Sequence, residues 1–190
     1  MGYIESMKFR IIDLSDCSQK DCSLQQLSVS LSPSCVILRV KEDGFESIGL
    51  ITHHTLAFFA VEFADYALQN YAVGNLYDAK ECIYIARKWL EVQSSVSVEE
   101  LFVASGNASY NGMHRVNGHI NYAAGSAGNV AGYAAKYHNR LYDSRMNNLQ
   151  TAYANNTAAY AVDAANAAGT SRLDARNRQG TFILNFFGAE

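Results

Sequence analysis

The chain has one proline and one tryptophan among 190 residues, and only four cysteines. Cys17, Cys22, Cys35 and Cys82 form no Cys-x-x-Cys pair, and no histidine stands at metal-finger spacing. That pattern speaks against a zinc finger or a dithiol redox centre and reads as scattered thiols in a reducing compartment. The N-terminus, MGYIESMKFR, carries no apolar signal-peptide run. The longest apolar stretch, around Leu56–Ala64, is interrupted by Glu62 and followed by Asp65. It is far shorter than the roughly 20 residues that span a bilayer. A soluble, intracellular protein without membrane partners is expected. A strong excess of one charge is also missing, since the net charge is −3. General nucleic-acid binding through bulk electrostatics is therefore excluded. No Gly-Lys-Ser/Thr phosphate loop and no Gly-x-Ser-x-Gly elbow occurs, and five histidines lack a ligand-type spacing to a carboxylate or cysteine. No cofactor and no metal is expected.

What is present points to helices. The apolar fraction of 49% is ample for one buried core. Lys8–Leu14 and Cys35–Val40 are β-branched and apolar enough for two strands. Between them a Ser/Gln/Cys-rich stretch holds Pro33 and a candidate short helix at Ser23–Leu27. Residues 1–48 thus read as a small α/β N-terminal cap, and residues 49–190 as an alanine-rich bundle of about five helices. The fold class is mainly α. Leu50–Val73 is apolar on most sides, with a narrow polar stripe of Glu62, Asp65 and Gln69, so it reads as the central helix, ended by Gly74. Tyr77–Val92 places Cys82, Ile85, Ala86, Trp89 and Leu90 on one face. Ser97-Val98-Glu99-Glu100 has the form of a capping box that opens a helix running to about Ala108. Asn111-Gly112 and Asn117-Gly118 mark a connection. Helices over 117–144 and Met146–Ala168 follow. Phe182–Phe187 reads as either a short strand or a docking helix. Tyr122 to Tyr133, and Tyr142 to Tyr153, are eleven apart, but the repeat is too irregular for a solenoid.

The sharpest feature is the helix over 117–144. Tyr122, Ser126, Asn129, Tyr133, Lys136 and Arg140 recur at three- and four-residue steps and share one side. Ala123, Ala127, Val130, Ala131, Ala134 and Leu141 form the opposite, packing side. Tyrosines can stack on a base or an aromatic side chain, amides can read hydrogen-bonding edges, and Lys136 and Arg140 can hold phosphate or carboxylate. His119 and Arg115 extend that face toward the N-terminus. The bland alternative is a solvated helix face with half-buried tyrosines. The charge distribution fits an anionic ligand or acidic protein surface: residues 1–100 hold 8 basic and 14 acidic residues, residues 101–190 hold 7 and 4. Arg172, Arg176 and Arg178 form a basic piece in the tail, in which Arg172 and Arg176 are i, i+4 and could clamp an anion, or simply solvate a helix. Arg145 joins the candidate binding set. Thirteen asparagines fall after residue 100; each costs a helix about half a kcal/mol relative to alanine, which a binding surface or interhelical amide bonds would explain. Gly125, Gly128 and Gly132 read as close helix packing, within the chain or across a dimer. His53 and His54 point apart on a helix, and an enzyme would need His114 or His119 to meet a carboxylate in a cleft.

One stretch carries a resemblance. In Leu56–Leu101 an apolar helix, a short break and an Ala-x-x-x-Ile-x-x-Ala-Arg-x-Trp-Leu-Glu helix precede alanine-rich arrays. Ala79, Ile83, Ala86, Arg87, Trp89, Leu90 and Glu91 carry the match. The order resembles the alanine-rich, all-helical immunity proteins of bacterial polymorphic-toxin systems, a class also found in phages, over about residues 50–170. The chain departs from that pattern at Asn75-Leu76-Tyr77-Asp78, in its asparagine, glycine and tyrosine content, and in its first 48 residues. The resemblance implies a helical bundle in the bacterial or phage-infected cytoplasm that neutralises a toxin or defence protein. Two functions are thus expected as alternatives. One is a non-enzymatic inhibitor contacting a protein through the Tyr/Asn/Lys/Arg face. The other is a sponge that holds a nucleotide or other small anion in a pocket between helices or subunits.

Overall fold

The computed structural model describes residues 7–74, 76–112, 118–138 and 144–189, with the side chains of His138 and Ser144 left out. Four strands come first: β1 (Lys8–Asp13), β2 (Gln19–Ser23), β3 (Cys35–Lys41) and β4 (Gly44–Ile51), with α1 (Leu24–Leu27) between β2 and β3. All pairings are antiparallel, in the order β2-β1-β3-β4. Six longer helices follow: α2 (His53–Tyr71), α3 (Tyr77–Glu91), α4 (Val98–Gly112), α5 (Gly118–His138), α6 (Ser144–Ala167) and α7 (Arg172–Phe186). The described residues therefore form seven helices rather than about five, and four strands rather than two. The molecule is mainly helical with a small N-terminal sheet, and no described helix is long and apolar enough to cross a membrane.

The two unexpected strands have a local cause. β2, Gln-Lys-Asp-Cys-Ser, has only Cys22 buried, so it shows no apolar alternation; it is an edge strand held by β1 and by the Arg10–Asp21 ion pair at 2.7 Å. β4 contains Gly44 and Gly49 and runs directly into α2, so its apolar end merges with the helix pattern. Gly49 is needed there: a Cβ would lie 2.4 Å from the Phe187 ring. The inward faces of β1 and β3 are Phe9, Ile11, Cys35 and Ile37, all buried. They join one continuous core with the helices. Phe182–Phe187 lies mostly within α7 and docks between the sheet and α2, which settles the choice left open for the tail.

Helix boundaries follow their caps. Thr52 Oγ1 accepts from Thr55 N, and Ser171 Oγ accepts from Asp174 N. The capping box forms, with Glu100 N donating to Ser97 Oγ and Ser97 N to Glu100 Oε2 at 3.1 and 2.7 Å. The helix it opens continues past Ala108 to Gly112. α2 ends at Tyr71, and Gly74 takes φ +83° in the following turn. α2 does not hold the centre alone. α5 packs against α2, α3, α4 and α6, because its small residues let four neighbours approach: a Cβ on Gly125 would lie 2.1 Å from Ser109 Oγ, and one on Gly128 2.6 Å from Cys82 Sγ. The glycines thus serve contacts within the chain.

Candidate ligand cavity between α2, α6 and α7

The α5 face expected to stand open is a packed seam. Ser126 is buried. Tyr122 stacks on Tyr160 of α6 at 5.2 Å between centroids, and Tyr133 stacks on Tyr153 at 5.8 Å while meeting the edge of Phe102 at 5.2 Å. Burial raises the Tyr133 phenol above its ordinary range. Asn129 and Lys136 are half-buried. Arg115 and Arg140 lie outside the described residues, as do His114 and Leu141. His119 is exposed, with its ring 6.4 Å from that of Tyr160. The packing side is as expected where it is described: Ala123, Ala127, Val130, Ala131 and Ala134 are buried. The helix is therefore enclosed on both sides, because Tyr153 and Tyr160 of α6 cover what solvent was expected to reach.

The arginines also separate. Arg145 is exposed at the start of α6. Arg172 pairs with Asp163 at 2.9 Å, so it is not half of a free clamp. Arg176 is turned inward, toward Ser28 Oγ at 3.4 Å and Gln179 Oε1 at 3.5 Å; burial lowers its pKa. Arg178 takes a different place, on the cavity between α2, α6 and α7.

This cavity measures about 360 Å³, within the range of small-molecule sites. Phe63, Tyr66 and Tyr71 of α2 and Phe182 of α7 supply aromatic walls; Ala161 and Ala165 of α6 and Ala175 of α7 leave the space empty. Two charged groups line it, Glu62 and Arg178. Arg178 Nη1 donates to Tyr66 Oη at 2.9 Å and Tyr71 Oη at 3.4 Å, which fixes the guanidinium beside two phenol rings packed edge to face. Glu62 shares Arg87 of α3 with Asp65, at 2.7 and 2.5 Å. Burial raises the Glu62 pKa, and Arg87 opposes that shift. Gln179 is a brace: its Oε1 accepts from Ser28 Oγ at 2.8 Å and its Nε2 donates to Ala158 O at 3.0 Å. Next to it, Gly180 passes so close to α1 that a Cβ would lie 2.4 Å from Leu24 O. The cavity shape is thus set by contacts that hold its polar lining residues in place.

Glu62 and Arg178 were visible in the sequence, one as part of the polar stripe and one in the tail's basic piece. Tyr66, Tyr71 and Phe182 were not singled out. No local signal joins them, since the Arg178–Tyr66 bond spans 112 residues. His53 and His54 do point apart: His53 Nδ1 meets Gln150 Oε1 at 2.5 Å, and His54 Nε2 meets Leu90 O at 3.2 Å. Among the described residues no three His, Cys, Asp or Glu side chains lie together to hold a metal. The cysteines are free, with Cys17 exposed and the others buried. No protein-family model matches the chain, and neither curated proteins nor solved structures give a match.

Proposed function

We propose that this protein is a non-enzymatic binding protein that sequesters a small, flat, polar ligand of the nucleotide kind in the α2–α6–α7 cavity. The observation that carries this reading is the guanidinium of Arg178, held by two tyrosine hydroxyls beside an aromatic-walled space. Arginine with its fork pre-oriented loses little freedom on meeting a carbonyl, carboxylate or phosphate, and aromatic walls favour a planar body. The test is the native mass of protein purified gently from the cells that made it. A discrete excess mass that disappears on denaturation supports sequestration, and its value nominates the ligand.

A second reading, the immunity-type neutraliser of a toxin or defence protein, draws on a different surface. Tyr77 and Tyr84 of α3, and Val103 and Tyr110 of α4, are each more than half exposed at i, i+7 spacing on their helices. The groove between these helices is lined by Glu81, Glu99 and Glu100. Such a face suits a basic protein surface, whereas the α5 face had suggested an acidic one. Tyr84→Ala would then weaken capture of that partner, while Tyr133→Ala would act only through stability. Both readings place the protein in a bacterial or phage-infected cytoplasm.

A further inference from the structure

We infer that the cavity is shaped for an oxopurine, a guanine-type ring that offers N–H donors to Glu62 and a carbonyl or ring-nitrogen acceptor to Arg178. The inference rests on the cavity reading above and adds the class of ligand.

Three observations support it. Glu62 meets Arg87 through Oε1, and its side chain lines the cavity. A half-buried carboxylate there is best satisfied by N–H donors. Arg178 donates only through Nη1 among the described residues, so its remaining N–H groups are available to an acceptor. Finally, Glu62 and Tyr66, the residue that holds Arg178, are one helical turn apart on α2, so a donor-seeking carboxylate and an acceptor-seeking guanidinium line the same cavity. The charges of Glu62, Asp65, Arg87 and Arg178 cancel, which fits a neutral ring carrying donors at one edge and acceptors at another. A quaternary ammonium would suit the aromatic walls but would meet Arg178.

The experiment is calorimetric titration of the full chain with guanosine, adenosine and choline, on wild type, Glu62→Gln and Ala161→Leu. Guanosine is expected to bind, with adenosine about tenfold weaker or more, because its N1 turns a lone pair toward the carboxylate. Glu62→Gln is expected to erase that preference. Because it also loosens Arg87, its melting temperature is measured alongside, and Ala161→Leu, which fills the space and leaves Glu62 intact, is expected to abolish binding. Equal affinity for guanosine and adenosine, or tighter binding of choline, overturns the oxopurine assignment. So does silence of all three probes. The cavity reading would survive that silence if gently purified protein still carried an excess mass that Ala161→Leu lacks; without that mass both fall.

Discussion

α6 presents two different faces to its neighbours. Toward α5 it offers Tyr153 and Tyr160, which meet Tyr133 and Tyr122 ring to ring. Toward α2 and α7 it offers Ala161 and Ala165, and there Tyr66, Tyr71 and Phe182 surround space. The same residue type closes one seam and frames a cavity in the other. What decides the outcome is the opposing residue: a second aromatic fills the gap, an alanine leaves it. Tyrosines at helical spacing are therefore not evidence of a binding face until their partners are known. α5, with Tyr122, Asn129 and Tyr133 along one side, looked like the recognition element, yet it is the helix most enclosed by others.

The contrast can be broken from either side. The largest effect is expected on the other side of α5, where it packs against α4. Gly125→Ala would force a Cβ to 2.1 Å from Ser109 Oγ and 2.9 Å from the Ser105 carbonyl. Overpacking of that kind costs about 3 kcal/mol, readable as a lower urea midpoint. Tyr133→Ala comes next. Loss of a half-buried ring from two aromatic contacts should cost about 2 kcal/mol, below the range for fully buried aromatics. It should leave retention of a cavity ligand unchanged, which separates a structural tyrosine from a binding one. Arg178→Ala should behave oppositely. The side chain is exposed, so stability should move by about 0.5 kcal/mol or less, while the excess mass expected for wild type in native spectra should fall markedly.

The smallest expected effect sharpens the seam's account of α2. Burial holds the His53 imidazole below its ordinary pKa. Gln150 Nε2 donates to the carbonyls of His53 and Val130, which turns Oε1 toward His53 Nδ1 and makes that nitrogen the donor. The unfolded chain takes up a proton below about pH 6.5, and the folded chain does so only at lower pH. Stability is thus present above that value and lost as pH falls through the folded pKa. His53→Gln should flatten this part of the profile of unfolding midpoints between pH 5 and 8.

Much of the architecture was legible because its signals are local. The capping box at Ser97 and Glu100, the apolar face of α3 and the alanine side of α5 each depend on residues within a turn or two. β2 was not legible, since an exposed edge strand needs only backbone pairing and carries no apolar pattern. The identity of the central helix was partly hidden: α2 is more apolar, but Gly125, Gly128 and small neighbours let α5 pack against four other helices. The candidate cavity was hidden for a different reason. Its residues come from α2, α6 and α7, and what creates it is the smallness of Ala161 and Ala165, which reads in sequence as ordinary helix packing. Glu62 stood out as polar on an apolar helix; which residue would face it could be learned only from the tertiary fold.

The central claim is that binding belongs to the alanine-lined cavity and not to the tyrosine seam. The most direct test is native mass spectrometry of wild type, Ala161→Leu and Tyr133→Ala, prepared in parallel from the same cells. The account predicts a discrete excess mass on wild type and on folded Tyr133→Ala, and its loss from Ala161→Leu. An excess mass retained by Ala161→Leu, or a bare chain mass for all three, would contradict it.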